Sequence, residues 1–207
     1  MKCRFSLSYR DLEEMMMIRG AEIDHSTVQR WVKRFVSLID QRVRGRKKPV
    51  NGSWHMDETY IKLNGSWVYL YRAVDRCGDT IDFLLRAKRD ATAAKAFFRK
   101  AFKENGRPEK VAIDKSGSNK AALDFFNKDV SKDQEIEIRQ IKYLNNIAEQ
   151  DHRFIKKRTR PALGFKNFQS AKATLSGIEN IHMIQKGQII GQAPSQFAFK
   201  NFVALMA

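Results

Sequence analysis

Apolar side chains along this chain change their spacing twice, and each change marks a boundary in the architecture. Leu12, Met15, Met16 and Ile18 recur at helical intervals behind a Ser8–Asp11 capping box, and Gly20 ends the run. Ser26 and Gln29 repeat the capping pattern. Val28, Trp31, Val32, Phe35 and Val36 then follow at the spacing of an amphipathic helix stripe. Beyond residue 53 the period falls to two. Alternation over 56–63, an Asn64–Gly65 turn and a β-rich run over 67–74 predict a hairpin, and a turn at Gly78 leads to a third strand over 80–86. Helical spacing returns behind Asp90 as a cap and stops near Gly106. "EKVAID" predicts a short strand ending at Asp114, "SNKAALDFFNK" a helix, and "IEIRQI" a fifth strand. Asn145 or Asn146 is expected to cap the helix that carries Glu149. A last helix spans about 168–186, and the tail beyond Gly191 is expected to be loose.

The order from residue 54 is therefore β-β-β-α-β-α-β-α-α. A three-strand meander followed by α/β crossovers predicts an α/β domain of the RNase H-like kind with a five-stranded mixed sheet. Right-handed crossovers set its fourth strand beside the first. The two helices ahead of it, joined by a short glycine-containing turn, predict a helix-turn-helix segment over 1–40. The expected division is then that segment, a basic linker over 41–53, the α/β domain over 54–190 and a tail over 191–207.

Charge narrows the choice of partner. Thirty-nine Lys and Arg against 23 Asp and Glu give a formal +16 and a pI near 10.0, which points to a polyanion such as nucleic acid. Residues 1–56 carry 12 basic and 6 acidic side chains, 57–138 carry 16 and 14, and 139–207 carry 11 and 3. A nearly neutral middle thus lies between two basic ends. The second helix presents Thr27, Gln29, Arg30, Lys33 and Arg34, groups able to reach base edges and phosphates from a major groove. There is no membrane-length apolar run and no signal-peptide pattern, so a cytoplasmic, nucleoid-associated protein is expected. Two distant cysteines and four scattered histidines give neither a disulfide framework nor a zinc pattern.

Three acids stand out against this basic background. Asp57 falls in the first strand, Asp114 ends the fourth, and strand ends of such sheets are where ligands bind. Glu149 is on a helix that can cover the same edge. Hard oxygen donors suit Mg²⁺, and two or three carboxylates can hold a metal pair on a phosphodiester. Along the helix, Glu149, Arg153 and Lys156 share one face, whereas Asp151 points about 200° away from Glu149. Glu149 is therefore read as a metal ligand with Arg153 and Lys156 on substrate phosphates, and Asp151 as balancing Lys157 or Arg158. Glu58, Asp75, Asp82 and Asp124 have no comparable placement and read as surface or turn acids.

The segments "YRDLEEMM", "DHSTVQRWVKRF", "WHMDETYIKLNGSWVYLYRAVD", "FLLRAKRD", "IDKSGSNKAAL", "QIKYLNNIAEQDHRFIKKRTRPALGFKNF" and "GIENIHMIQKGQ" closely resemble bacterial insertion-sequence transposases of the IS-six family, from about Tyr9 to Gln188. The resemblance implies a DDE transposase with an RNase H-like, retroviral-integrase-type catalytic core. It places the family's acids on Asp57, Asp114 and Glu149 and its following basic residue on Lys156. It also implies Mg²⁺, with Mn²⁺ as a substitute, DNA cleavage at terminal inverted repeats, and strand transfer into target DNA by at least a dimer. Family members carry about one more helix ahead of "SYRDLEEMM", so the helix-turn-helix segment is expected to be N-terminally truncated. Two rival readings remain at this point: an RNase H-type nuclease, and a non-enzymatic DNA-binding remnant of a decayed element.

Overall fold

A computed structural model describes residues 1–115, 117–140, 146–161, 164–195 and 197–206. Its helices and strands follow the order α1 (Tyr9–Ile18), α2 (His25–Gly45), β1 (Ser53–Leu63), β2 (Ser66–Asp75), β3 (Thr80–Arg86), α3 (Ala91–Asn105), β4 (Lys110–Ile113), α4 (Gly117–Asn127), β5 (Glu137–Gln140), α5 (Asn146–Thr159), α6 (Phe168–Gln185) and α7 (Ala198–Met206). The five strands form one sheet in the order β3-β2-β1-β4-β5. β2 and β3 are antiparallel, while β4 runs parallel to both β1 and β5. The expected crossover, with the fourth strand beside the first, is the one observed.

Local chemistry explains most of the element ends. Ser8 and Asp11 form the capping box of α1, each side chain bonding the other's backbone N–H. The hairpin between β1 and β2 turns at Asn64 and Gly65, both at positive φ (46° and 81°), which is what a tight two-residue connection requires. Asp90 caps α3 by accepting from the Ala93 N–H. α2 differs from expectation at its start. Asp24, not Ser26, is its cap, because the Asp24 carboxylate accepts from the Ser26 and Thr27 N–H groups one residue ahead of His25. The cap expected at Asn145 or Asn146 rests on side chains outside the described residues, as does Ile141 at the end of the fifth strand.

The chain divides into two compact units. One comprises Pro49–Ile61 and Ser66–Arg153, the other Met1–Lys48, Lys62–Gly65 and Phe154–Ala207. In the first, one face of the sheet (Trp54, Met56, Tyr71, Ile81, Val111, Ile113) packs against Phe97 and Phe98 of α3 and Leu123 of α4. In the second, α2 lies along α6, with α1 and α7 also against this pair. Three expected boundaries change. The basic linker over 41–53 is helical to Gly45, since Val43 continues the buried side of α2 and is itself fully buried. The tail over 191–207 is not loose, because "AFKNFVALM" forms α7, with Ala198 and Leu205 buried and Asn201 donating to the Ile184 and Ala193 carbonyls. Of the range 54–190, α6 falls in the second unit.

Candidate active site

Strand register builds the site. Ser53 is level with Lys110 and His55 with Ala112, so two residues further along the same parallel pair Asp57 comes level with Asp114. β4 ends at Ile113, and its termination leaves the Asp114 carboxylate at the open edge beside β1. Carboxylate oxygens of Asp57, Glu58 and Asp114 all lie within 4.8 Å of one another. Sequence reasoning had paired Asp57 with Asp114 and passed over Glu58. The third acid it named, Glu149, is exposed in the first turn of α5 and is not a member of this cluster.

Glu58 is no surface acid, contrary to expectation. It shares the parity of Trp54 and Met56 in β1, so the strand turns it toward the buried face and leaves its side chain 2% exposed. Arg89, from the loop ahead of α3, offers Nε to Glu58 Oε1 (3.3 Å) and Nη2 to Glu58 Oε2 (3.4 Å). The same Nη2 donates to Asp114 Oδ2 at 2.8 Å. Asn119, fully buried in α4, spans the same two acids, with Nδ2 3.2 Å from Glu58 Oε1 and 3.3 Å from Asp114 Oδ1. Burial raises the Glu58 pKa above the ordinary range. The Arg89 charge and its hydrogen bonds oppose that rise most strongly, and the nearby Asp114 charge adds to it. Asp82 is a further correction: it is buried and held by Lys100 Nζ at 2.6 Å. Asp75 is a turn acid as expected, accepting from the Cys77 and Asp79 N–H groups, and Asp124 pairs with Lys120 on the surface.

α5 meets the opposite side of the sheet through Asp151 and His152. Asp151, expected to balance Lys157 or Arg158, instead pairs with Arg72 of β2 at 2.5 Å, where the side chains are 9% and 1% exposed. A buried guanidinium in an apolar strand has a stronger claim on the carboxylate than a solvated lysine. His152 is also buried, and its Nε2 lies 3.3 Å from Asp57 Oδ2, off the line of a hydrogen bond. Glu149 stands three residues before His152, one turn along the same helix face. His152, which lies beside Asp57, thus belongs to the face that carries Glu149.

A family model described as a DDE domain matches residues 51–188. A Staphylococcus aureus transposase for the insertion sequence-like element IS431mec is 41% identical over 197 residues, spanning 92% of this chain and 86% of its own. The chain belongs to the DDE transposases of the IS-six family. The transposase for insertion sequence element IS257 in transposon Tn4003, also from S. aureus, matches at the same identity and coverage. Among solved structures, the HTLV-2 integrase catalytic core domain in complex with magnesium superposes with a TM-score of 0.50 at 14% identity, over 72% of this chain and 95% of that one. A simian T-cell lymphotropic virus intasome chain gives 0.50 at 15% identity, over 72% of this chain and 54% of its own. At such identities these likenesses establish the fold: this transposase has the integrase-type catalytic core.

The residues expected to touch DNA are distributed over both units. Arg30, Lys33 and Arg34 of α2 are exposed, whereas Thr27 and Gln29 are half-buried, and Thr27 Oγ1 accepts from Arg30 Nη2 at 2.8 Å. On α5, Arg153 is exposed and Lys156 half-buried. His182, whose helix position suggested packing, stacks on Phe154 with ring centroids 3.7 Å apart. No helix among the described residues is long and apolar enough to cross a membrane.

Proposed function

We propose that this DDE transposase cuts DNA at the ends of its insertion sequence and joins the freed ends to target DNA, with Asp57, Asp114 and Glu149 as the acids that hold divalent metal. The donor set fits the group. Carboxylate oxygens are the hard ligands that Mg²⁺ or Mn²⁺ takes, and those of Asp57 and Asp114 already converge at one strand edge. When bound, such ions stabilise the charge that develops on attacking and leaving oxygens of a phosphodiester.

The chain's own residues then have separate duties. Asp57 lies in β1 and Asp114 directly follows β4, so the parallel pairing of the two strands brings them to the same end of the sheet. Glu149 approaches on α5, which Asp151 and Arg72 tie to the sheet. Arg153 and Lys156, on the same helix, bind phosphates on either side of the bond to be cut. In cleavage, a water oxygen bonds to phosphorus and the 3′ oxygen leaves, taking a proton to become a 3′-hydroxyl. In strand transfer the oxygen of that hydroxyl gives up its proton and bonds to a phosphorus of target DNA, and the 3′ oxygen of the target strand leaves and takes a proton, with no covalent link to protein. α2 positions the element end through Thr27, Gln29, Arg30, Lys33 and Arg34, and at least two copies bring two terminal repeats together.

The observation that supports this reading most is the convergence of the Asp57 and Asp114 carboxylates at one edge of an integrase-type sheet. Labelled duplexes carrying the terminal repeats test it. Asp57→Asn, Asp114→Asn and Glu149→Gln are each expected to abolish cleavage and joining while duplex binding stays within about twofold of the parent. A Glu149→Gln variant that still joins DNA overturns the assignment of the third acid. A parent chain that cuts without joining is a nuclease, and one that binds without cutting is a remnant.

A further inference from the structure

The acid cluster contains a cation of its own. Arg89 lies immediately before the α3 cap Asp90, so its backbone is fixed by the start of that helix. Its guanidinium is 31% exposed and spends three donor contacts on two acids, two to Glu58 and one to Asp114. Glu58 has both oxygens engaged, by Arg89 and by Asn119, and its side chain is nearly sealed from solvent. Asp114 has Oδ2 on Arg89 and Oδ1 on Asn119, while its side chain remains 37% exposed. The exposed acid is therefore held from behind by two donors, and the buried acid holds both donors.

From this arrangement, and resting on the metal-binding reading above, we propose that Arg89 and Glu58 are positioning residues. Arg89, locked by Glu58, orients Asp114 and also sets how tightly the site binds a divalent cation. The physical basis is that each carboxylate oxygen has two lone pairs, so accepting from Arg89 and Asn119 does not exhaust the acceptor capacity of the partly exposed Asp114. A fixed positive charge behind a ligand opposes a second cation in front of it, and the fork geometry fixes the plane of the carboxylate. Glu58 offsets part of that repulsion without being a ligand. Orientation is thus gained at the expense of affinity, which keeps binding reversible at a site that must accept and release DNA.

Mn²⁺ titration of the 207-residue chain without DNA, followed by calorimetry and by the electron paramagnetic resonance of free Mn²⁺, separates these roles. Arg89→Gln is expected to bind Mn²⁺ at least about threefold more tightly, because a unit of opposing charge is gone. In the same variant strand cleavage falls, because Asp114 has lost its fork. Arg89→Lys keeps the charge, so its Mn²⁺ affinity stays at the parent value while cleavage falls. Glu58→Gln is expected to weaken Mn²⁺ binding, and the double variant Glu58→Gln/Arg89→Gln to return to the parent affinity, since both charges are removed together. Thermal unfolding of each variant confirms that a folded chain is being titrated, and Arg89→Met, equally uncharged and of similar length, carries the test with the same expectation if Arg89→Gln does not fold. Unchanged or weaker Mn²⁺ binding by Arg89→Gln overturns the proposal, as does a reduced DNA affinity with metal binding untouched, which would make Arg89 a phosphate contact. A double variant as weak as Glu58→Gln makes Glu58 a ligand and also overturns it. Asp57→Asn and Asp114→Asn serve as references: if neither weakens Mn²⁺ binding, the metal-binding reading itself has failed, whatever Arg89 does.

Discussion

Asp57 and Glu58 are adjacent in one strand, and the pleat sends them to opposite faces. Asp57 lies on the α5 side near His152, and Glu58 lies on the side packed by α3 and α4. That difference was legible, since Glu58 continues the parity of Trp54 and Met56, and an acid at a core position of a strand needs a cation or amide from elsewhere. Which residue supplies it was not legible, because Arg89 and Asn119 come from two other elements. The same holds for Arg72, an arginine inside "WVYLYRAVD" whose partner Asp151 is 79 residues away. Helix-face geometry alone had sent Asp151 toward its sequence neighbours. Asp151→Asn replaces one member of this buried pair with a neutral group and weakens the compensation for the desolvation of Arg72. The expected loss is about 3 kcal/mol of stability, with cleavage reduced in parallel because α5 loses an anchor to the sheet. Urea unfolding checks the first part, and full parental stability would refute it. Glu149→Gln, in contrast, removes an exposed charge and should leave stability unchanged while abolishing chemistry.

Elements defined by periodicity were read correctly where burial alternates, as at the start of β1 and along α3. β2 and β3, buried on both faces over most of their length, were found from their β-rich composition and flanking turns. α2 shows the limit of periodicity. Its apolar positions Val28, Trp31, Val32, Phe35 and Val36 looked like a single buried stripe, yet Trp31 and Phe35 are 43% and 45% exposed. The buried ridge instead runs through Val36 and Val43, because α6 approaches α2 from that side. Close approach is possible there because Gly177 of α6 has no side chain. A Cβ at that position would lie 2.4 Å from Cys3 Sγ and 2.9 Å from Val36 Cγ2. Neither atom is the end of a long, adaptable side chain, so the helices would have to separate. Gly177→Ala, favourable for helix propensity by itself, is expected to cost about 1–3 kcal/mol through overpacking. A lower thermal midpoint by differential scanning calorimetry is the expected result, and an unchanged or higher midpoint would show that the contact yields. α7 was missed for a different reason: it follows a stretch containing Gly191 and Pro194, and nine residues are too few to hold a helix without packing. Their helix is stabilised by burying Ala198 and Leu205.

At the scale of the whole molecule, net charge indicates a polyanion, and charge placement indicates where chemistry and binding separate. The stretch over 57–138, which supplies Asp57, Glu58, Arg89, Asp114 and Asn119, is close to neutral, while the basic excess lies before and after it. A site that gathers three acids would repel DNA by itself, so attraction has to come from the flanking segments. Among these, Lys156 and Lys157 are neighbours of equal charge with different placement. Lys156 shares the helix face of Glu149, whereas Lys157 is exposed and its carbonyl accepts from Ser6 Oγ at 2.9 Å. If Lys156 neutralises a phosphate next to the scissile bond, Lys156→Ala removes one released counterion. The slope of log K against log salt then falls in magnitude by about 1 on a terminal-repeat duplex. Strand transfer should fall with it, because the phosphate is no longer held against the acids. Lys157→Ala should leave both the slope and strand transfer near the parent values. Fluorescence anisotropy over a salt series, run beside the joining assay, measures both. Equal changes from the two substitutions would mean that this helix attracts DNA by diffuse charge, and the assignment of Lys156 to one phosphate would then be withdrawn.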